Sequence, residues 1–143
     1  MPINDCPFTL CAGGVYRPIL PIRIVNPHTG LTHSTFGLID TGADECAIPA
    51  AIAPILGHDL QSGETKTVNT GNGQTLAYAH TTSFEVYHPE TVKLLYTLPD
   101  TPIDFMPNLN VVLLGVRSFL SRFNLNINYP KRIFSITYPT DKT

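Results

Sequence analysis

Asp40 is the residue of this chain best placed to do chemistry. The apolar pair Leu38-Ile39 runs straight into it, and Thr41-Gly42-Ala43-Asp44 follows. A carboxylate carried to the end of a buried strand is there either to satisfy a turn by accepting backbone N–H groups or to move protons. Asp44 and Glu45, just beyond, read either as a solvated turn or as acids beside the same site. The remaining reactive side chains form no comparable group. The three cysteines, Cys6, Cys11 and Cys46, are odd in number, and Cys6-x4-Cys11 lacks the second ligand pair of a zinc site. The five histidines, at 28, 33, 58, 80 and 88, include no His-x3-His or similar pair. Cys46 reads as a small core residue, and no metal is expected.

The elements that must position Asp40 are mostly strands. Thirteen prolines and ten glycines punctuate the chain. Its longest regular stretch, Gln74 to His88, alternates Leu76, Tyr78, His80, Phe84 and Val86 against Ala77, Ala79, Ser83 and Glu85. Further strands are expected over Val15 to Asn26, as an edge because of Pro18 and Pro21, then Thr32 to Ile39, Glu64 to Asn69, Thr91 to Leu98 and Val111 to Leu114. A terminal hairpin is expected to pair Asn124 to Tyr129 with Arg132 to Tyr138. Residues 1–14 and the stretch from Pro99 to Pro107 read as irregular. One helix is expected after Gly115, where Val116, Phe119, Leu120 and Phe123 fall at i, i+3, i+4 and i+7. Pro49 to Ala53 can start a second short helix, which Pro54 disturbs at once and Gly57 ends.

Composition narrows the function classes. At 143 residues the chain is expected to be one domain, 1–143, able to bury its own core. A formal net charge of -2 and nine scattered Lys and Arg leave no basic footprint for nucleic acid. No apolar run approaches the roughly 20 residues that span a bilayer, and Met1-Pro2-Ile3-Asn4-Asp5 does not open like a signal peptide. No membrane partner is expected. A cytoplasmic location is expected, alone or as part of a longer precursor.

The stretch from Leu38 to Asp44 resembles the active-site loop of the aspartic proteases, and its Ala43-Asp44 continuation resembles the retropepsin-like branch. Val111-Val-Leu-Leu-Gly115 with the expected helix is similar to that family's second motif, whose glycine lets the chains pack closely. Asn72-Gly73, a strong two-residue turn signal, stands where the family carries its flap. The resemblance covers about Arg17 to Tyr138 in order. It implies an all-β, retropepsin-like closed barrel with one short helix in the C-terminal half. It further implies an aspartic endopeptidase acting on a polypeptide, with no metal and no organic cofactor.

Catalysis of that type needs two aspartates, one to take a proton from the attacking water and a protonated neighbour to support the peptide carbonyl oxygen. Two carboxyl groups that close share a proton. With one Asp-Thr-Gly per chain, the second aspartate must come from a second copy in a two-fold homodimer. On the family's pattern Asp40 is catalytic, and Thr41, Gly42 and Ala43 complete the active-site loop. Thr41 ties the two loops together, Gly42 leaves room for water and substrate backbone, and Ala43 lines the cleft. Asp44 and Glu45 bind substrate, as do Gly71, Asn72 and Gly73 of the flap. Apolar cleft walls imply hydrophobic residues flanking the cleaved bond. One departure stands out: retroviral members place Arg directly after the second-motif glycine to pair with the loop acid, and here Val116 stands there and Arg117 follows. The competing readings are a catalytically silent dimeric peptide-binding or assembly module of the same fold, and a small ligand-binding barrel. The second leaves Asp40 unexplained.

Overall fold

Alternation of buried and exposed residues organises the chain into strands. The computed structural model describes residues 2–70 and 73–139. The strands are β1 (Ile3–Pro7), β2 (Thr9–Cys11), β3 (Val15–Arg17), β4 (Ile19–Val25), β5 (Thr32–Ile39), β6 (Cys46–Pro49), β7 (Glu64–Thr70), β8 (Gly73–Tyr87), β9 (Leu94–Met106), β10 (Val112–Leu114), β11 (Asn124–Asn128) and β12 (Ile133–Thr137). Seven of them form one sheet in the order β4-β5-β10-β6-β9-β8-β7. Because β4 also pairs with β8, the hydrogen-bonded circuit from β4 through β5, β10, β6, β9 and β8 leads back to β4. Only β7 lies outside that circuit, paired to β8 as the outer arm of a hairpin.

Inside the circuit sits an aliphatic and aromatic core. On β4, Leu20, Ile22 and Ile24 point inward, and Ile48, Leu56, Phe84, Leu98, Phe105, Leu114 and Phe119 meet them. Each such side chain contributes roughly 1.5–3 kcal/mol by leaving water. A three-stranded sheet, β1-β12-β11, adds Ile3, Phe134 and Ile136 to the same core. Among the described residues no helix is long and apolar enough to cross a membrane.

Several expectations need correction. Residues 1–14 are not irregular: β1 pairs with β12 and β2 with β3. A bulge between Ile3 and Cys6, with Asp5 at φ 48°, breaks the alternation that would have marked β1. Nor is the stretch from Pro99 to Met106 a loop, since β9 runs through it. Thr82 pairs with Thr101 and Phe84 with Leu98, so Ser83 faces both Pro99 and Asp100, the latter at φ 48°. The bulge shifts the phase, and Ile103 and Phe105 then point inward. β4 is an edge only in part. Pro21, which has no N–H to donate, precedes the residues that β8 pairs, Ile22 to Val25.

Among the described residues no α-helix follows Gly115. The N–H groups of Leu120 and Ser121 donate to the carbonyls of Gly115 and Val116, five residues back, at 2.9 and 2.8 Å, and a single 3₁₀ turn covers Leu120–Arg122. The apolar spacing still marks the buried side at Phe119, Leu120 and Phe123, but Val116 is 38% exposed. Around residue 50 the expectation is met by two 3₁₀ turns, Ala50–Ile52 and Pro54–Leu56, closed by Gly57 at φ 73°. On β8, Leu76 is exposed and Ala77 buried, because that end of the hairpin extends past the main core and packs Ala77 beside Ala47 and Met106.

Candidate active site

β5 and β10 deliver Asp40. They run parallel, Gly37 beside Val112, Leu38 beside Leu113 and Ile39 beside Leu114. With Ile39 buried, its N–H donates to Pro18 O at 3.0 Å and the Asp40 N–H to Leu114 O at 3.2 Å, which fixes the backbone on both sides of the acid. The chain then turns: Ala43 N–H donates to Asp40 O at 3.2 Å, and Gly42 N–H donates to Asp40 Oδ1 at 3.0 Å. One carboxylate oxygen is thereby oriented by the loop itself, while Thr41 and Gly42 are exposed at its tip.

Gly115 pins the far side of the loop. A Cβ there would lie 2.3 Å from Glu45 O and 3.0 Å from Ala43 O, both backbone atoms, so only glycine permits the approach. The next two N–H groups are spent on the loop, Val116 donating to Ala43 O at 2.9 Å and Arg117 to Asp44 O at 2.8 Å. These bonds draw residues 116 and 117 away from a regular helical start. Arg117 Nη1 stands 3.7 Å from Glu45 Oε1, one position beyond each of the two residues that the resemblance would pair. Glu45 Oε2 accepts a hydrogen bond from Ser118 Oγ at 3.4 Å. Because Arg117 is largely exposed, this pair adds at most about 1 kcal/mol. Asp44 keeps its side chain exposed.

Cys46, the reactive atom nearest this loop in sequence, is structural. Burial pushes its thiol up to about 12, so it is held protonated and is no nucleophile. Its sulfur accepts from Gly115 N–H at 3.4 Å and helps seat the glycine.

Facing the loop is a groove of about 670 Å³, with Asp40, Gly42, Ala43, Asp44 and Glu45 along one side and Lys66, Thr67, Val68 and Asn69 of β7 along the other. Ala47, Asp104, Met106 and Leu113 also line it. Asp40, Gly42, Ala43, Asp44 and Glu45 are thus brought together. The flap residues Gly71 and Asn72 lie outside the described residues. Gly73 pairs with Thr70 as the first residue of β8, with φ at 109°, instead of taking an inner turn position. The apolar walls expected from the sequence are not found: charged residues share the lining, and Lys66 Nζ stands 3.0 Å from Asp104 Oδ1. Sequence reading missed both residues. The signal available was an acid between two core residues, Ile103-Asp104-Phe105, the kind of context that singles out Asp40.

A second depression, about 430 Å³, lies on the β1-β12-β11 sheet and is lined largely by amides, among them Asn4, Asn124, Asn126 and Asn128. It offers no paired charges for chemistry.

No family model matches this sequence, and no curated protein matches it. Among solved structures, the crystal structure of a retropepsin-like aspartic protease from Rickettsia conorii superposes with a TM-score of 0.62, covering 93% of this chain and 98% of that one at 22% identity. The mostly-β fold of this chain is similar to that retropepsin-like fold.

Proposed function

We propose that this protein is an aspartic endopeptidase whose active site is completed by a second copy of the chain. The observation that carries the reading is the seating of Asp40: one carboxylate oxygen oriented by Gly42, the loop locked beneath by Gly115, and a peptide-sized groove alongside. In a retropepsin-like barrel that closes on itself, the two Asp40 carboxyl groups meet on the two-fold axis and share one proton. The ionised carboxylate takes a proton from the water between them as its oxygen attacks the peptide carbon. The other carboxyl group gives its proton to the carbonyl oxygen. The tetrahedral diol collapses as the first carboxyl passes the proton taken from water to the amide nitrogen, which leaves as an amine, while a diol hydroxyl returns a proton to the second carboxylate; no enzyme bond to the substrate forms. Thr41 braces the two loops, and Gly42 leaves room for the water. Asp44, Glu45 and Ala43 face the substrate backbone. The substrate lies extended in the groove between the loop of residues 40–45 and β7 and adds strand-type hydrogen bonds on either side, with Gly71, Asn72 and Gly73 among the residues that bind it.

The test is cleavage of a peptide pool from acidic to neutral pH by the protein and by Asp40→Asn, with and without a statine-type transition-state mimic. Asparagine keeps the oxygen that accepts the Gly42 N–H but cannot move the proton. Cleavage is expected to fall at least about a thousandfold. Undiminished cleavage by the variant refutes the mechanism.

A further inference from the structure

Asp104 is out of place for its strand. Its neighbours Ile103 and Phe105 are core residues, and Asp104 itself is only 6% exposed. On the opposite face of β9 from those two, it lines the groove, paired across the sheet with Ala47 on β6 and Ala79 on β8. Both flanking positions carry only a methyl group, and Ala47 lines the groove beside Asp104. Its cationic partner is Lys66 Nζ at 3.0 Å, and the two differ in how firmly they are held. The Asp104 side chain is 9% exposed on a strand paired on both sides, whereas the Lys66 side chain is 47% exposed on the outer arm of a hairpin.

A buried carboxylate cannot give up its cation without replacement. Exchanging one ammonium for another avoids that cost, and the long flexible stem of Lys66 lets its charge move out into water. The rest of the groove favours the same sign. Asp40, Asp44, Glu45 and Asp104 face Lys66 and Arg117, and Arg117 is already engaged by Glu45.

Resting on the protease reading above, we infer that Asp104 and Lys66 form a charge-exchange subsite: a lysine or arginine side chain of the substrate displaces Lys66 from Asp104, while an acidic side chain is rejected. The apolar groove residues near Asp104, among them Ala47 and Met106, receive the aliphatic stem of the incoming side chain. Lys66 keeps the carboxylate paired when the groove is empty.

The test uses the full chain and a peptide series that varies one position at a time around the cleaved bond among Lys, norleucine and Glu. At one position the protein is expected to prefer Lys over Glu by about tenfold or more in kcat/KM. Asp104→Asn should shrink that ratio to within about threefold. Lys66→Met, which removes the internal competitor and leaves the substrate to pair the Asp104 carboxylate, should enlarge the preference for Lys over norleucine. Thermal melts establish that each variant is folded. If Asp104→Asn does not fold, the wild-type ratio and Lys66→Met decide alone. Cleavage with no Lys-over-Glu preference at any position, or a preference that both variants leave unchanged, overturns the subsite and leaves the protease reading standing. Absence of cleavage of any peptide refutes that reading, and the subsite with it.

Discussion

The two sides of the groove are built to opposite rules. On one side, residues 40–45 are tied by backbone bonds to Leu114, Val116 and Arg117 and sit directly on Gly115, with Ile39 and Cys46 buried at either end. On the other, β7 pairs with β8 alone among the described residues, and from Glu64 to Asn69 all its residues are exposed except half-buried Val68. Moving the loop means breaking core contacts. Moving the hairpin arm breaks almost none. On the protease reading, the chemistry that depends on the placement of a carboxylate falls to the firmly tied side, and admission of a substrate chain to the other.

The sharpest way to break this contrast is to compare two glycines. Gly115→Ala drives a Cβ into the backbone of Glu45, and a loss of about 3 kcal/mol in urea unfolding is expected, with cleavage lost as the loop is pushed aside. Gly73→Ala, at the hairpin, meets nothing within 4 Å among the described residues, and its φ of 109° opposes the substitution. A loss of about 1 kcal/mol is expected there, with the change in KM larger than the change in kcat. Equal losses at the two sites would erase the distinction between a fixed and a movable side.

A smaller effect tests the root of the hairpin. His58 packs its ring 5.3 Å from that of His80 on β8 and 5.3 Å from that of Phe105, and its buried Nε2 has no hydrogen-bond partner among the described residues. Burial first, then the neighbouring His80 and His28, holds this imidazole below its ordinary 6.5. The unfolded chain therefore binds a proton at His58 more readily than the folded one. The stabilisation is present above 6.5 and is lost as pH falls through that value toward the lower folded one. The melting temperature should decline on acidification across this window, and decline less in His58→Phe. An identical slope in both proteins would remove His58 from the account.

Local features were legible in the sequence and long-range ones were not. The strand from Thr32 to Ile39 has the bounds its alternation implied, and Asp40 stood out because two apolar residues precede it. Pro54 and Gly57 marked the broken turns after β6, and the terminal hairpin follows its own alternation. What escaped depends on partners distant in the chain. β1 and the second half of β9 are paired across bulges, and a bulge shifts the two-residue period by which a strand is recognised. The helix expected after Gly115 was defeated by a demand its own spacing could not reveal, the hydrogen bonds that Val116 and Arg117 give to the loop. Lys66 and Asp104 are 38 residues apart and meet only because β8 lies between their strands.

On the proposed function, Asp40 is half of a site. That is tested most directly by mixing the protein with Asp40→Asn under conditions where subunits exchange, at constant total concentration. If each active centre takes one Asp40 from each of two chains, activity follows the square of the wild-type fraction, and an equal mixture retains about a quarter of it. If one chain suffices, the same mixture retains about half, and the account of a shared site is wrong.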